Sequence, residues 1–530
     1  MLPNLFEKLD DETELLLPDD LLTEHSVVHG FRTEISDEDC GDGQRANVEI
    51  LGWLYQFYIS ERKDQVMARK SAVPTEDIPA VTQLFTPHWI VRYLVENSLG
   101  RLWLLNRPDS RLREHMPYYI EGEKFATGSS PDDFLKITEP EEIRLCDPAV
   151  GSAHMLTYAF DLLVLIYEEE GYAPTEIPAL ILRHNLHGLE ICPRAAQLAE
   201  LALVFKAREK SRRFFQPEHL VRPRIIELRD VHFEEDELHD YLSALGLSED
   251  LFSQPMLRLL RQFEEAKNFG SLIQPCLDER AIAFARRAIE AKDLGGQLLL
   301  RGTHLKVLRV LEQAESLTQR YHVVVANPPY MGQKQMNPRL KTFVEEHLNA
   351  GKSDLFAAFT IRNLNCTLDS GFIGMITIPN WMFLESFEDL RKQLLNEAAI
   401  STLIHNGRGL WGADFGSCAF VLHKTRIGAG QGSYKRLFSK PSEVNSPEVI
   451  EERFLDDHHF PWLLANTEEF KSIPGYPIAY WISPKVRSAF SAGSPLSQVG
   501  DARQGLATAD NDRFLRSWFE PSSDRIRLRC

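Results

Sequence analysis

The chain has 530 residues, 43% hydrophobic and 26% charged, with a formal net charge of −18 and an isoelectric point near 5.5. That length holds roughly three to four domains and an ample core, and the acidic balance argues against a protein that wraps DNA while leaving room for an enzyme with one local basic groove. Seven scattered cysteines without a Cys-x-x-Cys pair fit reduced thiols. With no basic-then-apolar leader and no apolar run long enough for a bilayer, a cytoplasmic protein without membrane contact is expected.

Residues 1–80 read as an acidic, mainly helical domain. Ile50, Leu51, Leu54, Phe57 and Tyr58 recur at helical spacing, and Trp53 and Tyr55 widen that face. The pattern predicts a helix that buries them in a core. Pro18-Asp19 and the later Glu61-Arg62-Lys63 loosely imitate a nuclease pattern, but the Glu61 triplet closes a helix and does not sit on a strand, so no nuclease is read there.

The next domain is expected over 81–425. Phe85-Thr86-Pro87 precedes an apolar helix, with Thr86 placed to cap it and Pro87 to open it. A capped helix start suits a carboxylate. Residues 101–142 read as a connecting insertion. A strand over 142–146 then leads into Asp147-Pro148-Ala149-Val150-Gly151-Ser152 and a long apolar helix over 155–167. Strand, glycine turn and helix form the nucleoside-binding turn of a doubly wound sheet. Gly151 lets a ligand approach the backbone, and Asp147 suits an ammonium group. The full G-x-G-x-x-G of a dinucleotide site is absent.

A second strand over 185–191 carries Glu190 near its end, where an acid commonly takes ribose hydroxyls. The helix over 193–213 follows, its basic end read as a solvated C-terminus. A third strand over 224–230 ends in Asp230. Residues 234–319 are charged and helical and read as an inserted subdomain.

Val323-Val324-Val325-Ala326 then reads as a buried strand. It stops at Asn327-Pro328-Pro329-Tyr330, because two prolines remove backbone donors and fix φ. A polar amide is thereby held at a strand's C-terminal end, with an aromatic ring just behind it. This suits methylation of an exocyclic amine. The Asn327 amide oxygen and the Pro328 carbonyl accept its two protons, which frees the nitrogen lone pair, and Tyr330 stacks on a base swung out of a duplex. Lys334, Arg339, Lys341 and Lys352 follow as candidate phosphate contacts. Gly351-Lys352-Ser353 ends like a P-loop, but Glu346 occupies the first glycine position, so no triphosphate site is read. Ser353 is a candidate cap for the next helix. Strands are expected over 371–379, 400–405 and 418–423, with a helix over 386–397. Residues 426–530 read as a linker, with a glycine-rich turn at 428–432, followed by the start of a further region. Asp456-Asp457-His458-His459 is read as a solvated turn and not a metal site.

Phe85-Thr86-Pro87, Asp147-Pro148-Ala149-Val150-Gly151-Ser152, Gly188-Leu189-Glu190, Asp230 and Asn327-Pro328-Pro329-Tyr330 stand in the order of the γ-type N6-adenine DNA methyltransferases, which the chain resembles. The stretches 52–60, 83–100 and 507–515 look more narrowly like PglX, the methyltransferase family of BREX phage-defence systems. The resemblance implies a Rossmann-like class I sheet with an N-terminal helical domain and a helical insertion. It implies S-adenosyl-L-methionine as cofactor. Thr86, with Pro87, would hold the methionine carboxylate; Asp147, Ala149 and Gly151 would form the cradle. Glu190 would take the ribose and Asp230 the adenine amino group. Asn327, Pro328, Pro329 and Tyr330 would hold the target adenine of double-stranded DNA. Ala153 departs from the family, which usually has a second glycine there. Family members also continue into a large recognition region, so a separate chain or other defence-system proteins are expected partners. Two rival readings are a methyltransferase for RNA or a protein glutamine, and a cofactor-binding scaffold that recruits partners without methylating.

Overall fold

The computed structural model describes residues 23–36, 50–69, 71–121, 134–244, 253–292, 298–425 and 431–494, with isolated positions 20, 48, 498 and 500. Pro18-Asp19, residues 428–430 and the stretch 507–515 lie outside them.

The described strands are β1 (Leu145–Asp147), β2 (Leu186–Glu190), β3 (Arg224–Glu227), β4 (Tyr321–Ala326), β5 (Thr367–Thr377), β6 (Ala399–Arg408), β7 (Gly416–His423), β8 (Gln431–Arg436) and β9 (Leu463–Asn466). They form one sheet in the order β3-β2-β1-β4-β5-β7-β6-β8-β9. β3, β2, β1, β4 and β5 run parallel, and β7 is inserted antiparallel between β5 and β6. The chain winds outward from β1 to β3, then returns to start the other half at β4. The carboxyl ends of β1 and β4 therefore flank the switch point, where a doubly wound sheet opens a crevice for ligands.

The unbroken apolar run of β4 follows from burial on both faces. Val323 and Val325 enter one core and Val324 and Ala326 the other. The helices that cover these faces include α1 (Ile50–Ala68), α2 (His88–Val95), α3 (His154–Glu169), α4 (Pro193–Lys210), α5 (Leu298–Thr318), α6 (Pro338–His347), α7 (Leu355–Cys366), α8 (Glu388–Glu397) and α9 (Pro447–Leu455). α2, α3 and α4 pack on the first face; α5, α6, α7 and α8 pack on the second. Between β3 and β4 the expected insertion is present as helices Glu235–Ala244, Ser253–Arg261, Glu279–Glu290 and α5, with the short Ala266–Phe269. Among the described residues no helix is long and apolar enough to cross a membrane.

Several local expectations are corrected. α1 forms, but its apolar face is not core: Phe57 is 81% exposed and Tyr58 66%, while Gly52, Ile59 and Val66 are the buried positions. Trp53 and Leu54 are also exposed. Thr86 does not cap α2. The helix begins at His88, Pro87 is its N-cap, and the first helical N–H groups go to the Pro87 carbonyl. Asp354, not Ser353, caps α7; the Ser353 hydroxyl donates to the Ser386 carbonyl. β3 ends at Glu227, three residues before Asp230.

The sheet also continues past residue 425. β8 pairs parallel with β6, and β9 antiparallel with β8. α9 returns across the first face, where the Phe454 ring meets Trp89, Tyr93, Tyr118 and Trp462 at centroid distances of 5.4–6.0 Å. Phe454 thus staples 431–466 to the helix that follows Phe85-Thr86-Pro87. Phe454→Ala should cost about 3–5 kcal/mol, the usual range for emptying a buried aromatic site. Denaturant unfolding measures it; a loss under about 1 kcal/mol would show that this segment is not part of the common core.

Candidate active site

Three segments meet at the carboxyl ends of β1 and β4: the turn after β1, the tip after β4, and a strap at 83–86. One cavity opens between them. Asp147, Ala149, Gly151, Glu190, Asn327 and Pro329 all line it, so six of the residues singled out from sequence are brought together.

The β1 turn is built around two buried acids. Asp147 accepts the Ala149 N–H at 3.0 Å. Burial, with Glu190 nearby, pushes its carboxyl up to about 8. Glu190 ties the ends of β1 and β2 together: Oε2 accepts the Gly151 N–H at 2.8 Å, and Oε1 accepts Ile191 and Cys192 N–H at 3.0 and 2.9 Å. Burial raises its pKa although these N–H groups oppose the shift. Gly151 sits at φ +54°, and a Cβ there would meet nothing within 4 Å. The bare backbone faces open space, as close ligand approach requires. Ala153 is left-handed at φ 69° without being glycine. It is fully buried before α3 and does not line the cavity.

The tip after β4 is held in one orientation. Asn327 Nδ2 donates to the Leu84 carbonyl at 2.7 Å. The Tyr330 hydroxyl lies 2.6 Å from Asn327 Oδ1 and 3.0 Å from the Ile376 carbonyl, so its one proton serves either. Its ring packs edge-on against Phe356 and Trp411. Pro328 is buried between them in sequence. The strap is pinned from both sides: Gln56 Oε1 on α1 accepts the Phe85 N–H at 3.1 Å, and Trp411 Nε1 donates to the Phe85 carbonyl at 3.0 Å.

Trp411 stacks on Phe415 at 5.0 Å and 14°. Both sit on the β6–β7 connection and went unnoticed in the sequence. Two aromatics in a glycine-containing turn are no local signal; only the pairing of β7 beside β5 carries that turn to the tip.

Other expected residues are not in the cavity. Thr86 is buried behind the strap, and its hydroxyl has no hydrogen-bond partner among the described residues. Pro87 is spent on the start of α2. Asp230 is exposed and accepts the Lys267 N–H at 2.7 Å. It lines a neighbouring cleft that shares Tyr55, Pro79 and Ile191 with the cavity. The early end of β3 carries it outward. Of the basic residues, Arg339 Nε donates to Glu265 Oε1 at 2.8 Å, Lys341 Nζ lies 3.9 Å from Glu345, and Lys352 Nζ donates to Asn349 at 2.9 Å. Lys334 is exposed. Their helix α6 still borders the cavity through Leu340, and its Phe343 stacks on Phe269 of the insertion at 4.1 Å. Among the described residues no cluster of three or more metal-ligating side chains exists. Asp456 instead accepts the N–H groups of His458 and His459 at 3.0 Å each.

A doubly wound sheet with a reversed β7, and a glycine turn and an Asn-Pro-Pro-Tyr tip that open onto one cavity, define a class I S-adenosylmethionine-dependent methyltransferase fold. Comparison with known proteins agrees. Residues 184–410 match the family model of the Eco57I restriction-modification methylase. The chain is 39% identical to the adenine-specific methyltransferase BrxX of Escherichia coli O9:H4 (strain HS), and 36% identical to the adenine-specific methyltransferase PglX of Lacticaseibacillus casei (strain Zhang). Each alignment covers 98% of this chain and 44% of the relative. The chain is therefore a relative of the BrxX and PglX adenine-specific methyltransferases, and spans less than half their length. Among solved structures, the ATP-dependent Type ISP restriction-modification enzyme LlaBIII bound to DNA aligns at TM-score 0.42 and 14% identity, over 72% of this chain and 22% of that one.

The Asp147 carboxyl allows a direct test. Its folded value near 8 stands above an unfolded value of about 3.9. The folded state thus binds the extra proton, and stability falls as pH rises from about 4 to about 8. Asp147→Asn removes that slope. The variant's melting temperature should gain on wild type between pH 5 and pH 8. Parallel profiles would show that Asp147 ionises in the fold as freely as in water.

Proposed function

We propose that this chain carries the cofactor-binding and methyl-transferring centre of an adenine-N6 DNA methyltransferase of a BREX-type phage-defence system. The observation that supports this most is that Asn327 and the Asp147–Gly151 turn line the same cavity. An amide built to accept protons from an amine is thereby set against a nucleoside-sized cradle.

The residues fit S-adenosylmethionine. Buried Asp147 offers a carboxylate to the methionine ammonium, and the bare Gly151 backbone leaves room for the chain of the ligand. Glu190 keeps unused lone pairs for ribose hydroxyls after its three backbone bonds. When bound, the cofactor supplies an electrophilic methyl group. Asn327 Oδ1 accepts from Tyr330 with one lone pair and offers the other to the target amine, while its Nδ2 bond to Leu84 prevents the amide from turning over. The Pro328 carbonyl accepts the second amine proton. Proton acceptance localises the nitrogen lone pair, an interaction that strengthens as the transition state forms. Tyr330, Trp411 and Phe415 give the base an aromatic flank once it leaves the duplex. In this reading 81–425 carry the chemistry, with β8 and β9 extending the sheet. Asp230 borders the adenine end from the adjoining cleft.

Asn327→Ala separates binding from chemistry. It frees one bond to the strap, so cofactor affinity should fall by no more than about tenfold. Methyl transfer to DNA should fall by at least about a hundredfold. Unimpaired transfer would refute the assigned role, and transfer to RNA or protein but not DNA by the wild type would move the substrate class. Duplex binding should rest on phosphate contacts and weaken steeply with salt. Lys334, exposed beside α6, should carry more of it than Arg339, which is paired with Glu265. Lys334→Ala should lower the slope of log affinity against log salt by about one, and Arg339→Ala by less; equal slopes in wild type and Lys334→Ala would place the DNA elsewhere.

A further inference from the structure

The polar groups that line the cavity divide into two kinds. Asp147 and Glu190 are acids, suited to a cation or to hydroxyls. His154 and Gln83 are neutral, and they line the same cavity. Neither ring nitrogen of His154 and neither amide atom of Gln83 has a hydrogen-bond partner among the described residues. His154 is only 8% exposed. Its ring is clamped flat on Phe85 at 4.6 Å and 28°, which fixes its plane without satisfying its nitrogens. Burial and the nearby His88 push its pKa down to about 4, so at neutral pH it carries one N–H donor and one acceptor. Unpaired buried polar groups are costly and rare, and each calls for a missing partner.

Position narrows the choice of partner. His154 is the first residue of the 16-residue helix α3, whose free N–H groups and dipole favour an anion. Gln83 opens the strap whose next residues are pinned to Asn327, Gln56 and Trp411. An α-amino acid group needs an acid for its ammonium and neutral donors for its carboxylate. Asp147 and Glu190 would repel a carboxylate. Thr86, expected in that role, does not line the cavity.

We propose that His154 and Gln83 are the carboxylate-recognising pair of the cofactor site, each donating one N–H to the methionine carboxylate. This rests on the cofactor reading above. It assigns His154 a binding role that a stacked core histidine would not have, and it makes the strap itself part of the amino-acid pocket. Cofactor occupancy is then linked to the placement of Asn327, because the strap that offers Gln83 also holds the Asn327 amide.

Isothermal titration of the full chain with two ligands tests this. S-adenosylhomocysteine carries the carboxylate; 5′-methylthioadenosine has the same nucleoside and thioether without the amino-acid group. His154→Phe keeps a ring against Phe85 and removes both nitrogens. Gln83→Leu removes the amide at a half-buried position and guards against a folding failure of the first variant. Each variant should weaken S-adenosylhomocysteine by about ten- to a hundredfold, the range for a hydrogen bond to a charged group, and change 5′-methylthioadenosine by less than about twofold. Equal weakening of both ligands, or of neither, overturns the pair while the cofactor reading stands. If wild type binds neither ligand, that reading fails and the pair with it. Loss of methyl transfer with unchanged S-adenosylhomocysteine affinity would place His154 on the target side and overturn the proposal.

Discussion

The peptides flanking Leu84 and Phe85 hold three separate parts of the chain in register. The Leu84 carbonyl fixes the Asn327 amide, the Phe85 N–H binds Gln56 of α1, and the Phe85 carbonyl takes the indole N–H of Trp411. Backbone groups of an irregular segment must find partners when buried. Here those partners are a tip, a helix and a hairpin connection that are 243, 29 and 326 residues away in sequence. A short strap with no regular structure thus sets the geometry of the cavity.

The second constraint is electrostatic. Asp147 and Glu190 are buried side by side at the ends of β1 and β2, and the fold carries the cost of both. Glu190 recovers part of it through three backbone N–H bonds. Asp147 has one, from Ala149. Such a group is held ready for a cation, and binding a cation there relieves a penalty that the empty fold carries. His154 and Gln83 are the complementary case, neutral groups whose hydrogen bonds are unmade. The cavity therefore pairs an unsatisfied acid with unsatisfied donors, the pattern an α-amino acid would fill.

The elements away from the cavity serve to hold its two halves together. β4 is buried on both faces and can shift toward neither. Phe454 closes the first face over α2 from a segment beyond the expected domain boundary. The insertion reaches the cavity through Asn268 and Phe269, with Phe269 stacked on Phe343 of α6. It is a wall of the site as well as an appendage.

Much of this was legible in the residues alone. Three consecutive valines and two prolines state a buried strand and its abrupt end, because β-branching and fixed φ act locally. The Asp147–Gly151 turn and Glu190 were likewise local: strand, then acid or glycine, then helix. These are facts of neighbouring residues, and the structure brought them to one cavity. What only the tertiary structure decided depended on direction and on distant partners. Helical spacing marked the α1 face as apolar but could not say that Phe57 and Tyr58 point outward. A hydroxyl before a proline looked like a cap until the helix started one residue late and left Thr86 buried. Asp230 moved out of the cavity because its strand stopped three residues early. Trp411, Phe415, Gln83 and His154 gave no signal, since an aromatic in a turn, an amide before a phenylalanine and a histidine on an apolar helix are ordinary in any core. Their meaning comes from which atoms remain unpaired once the sheet has closed around them, and that is set by packing across the whole chain.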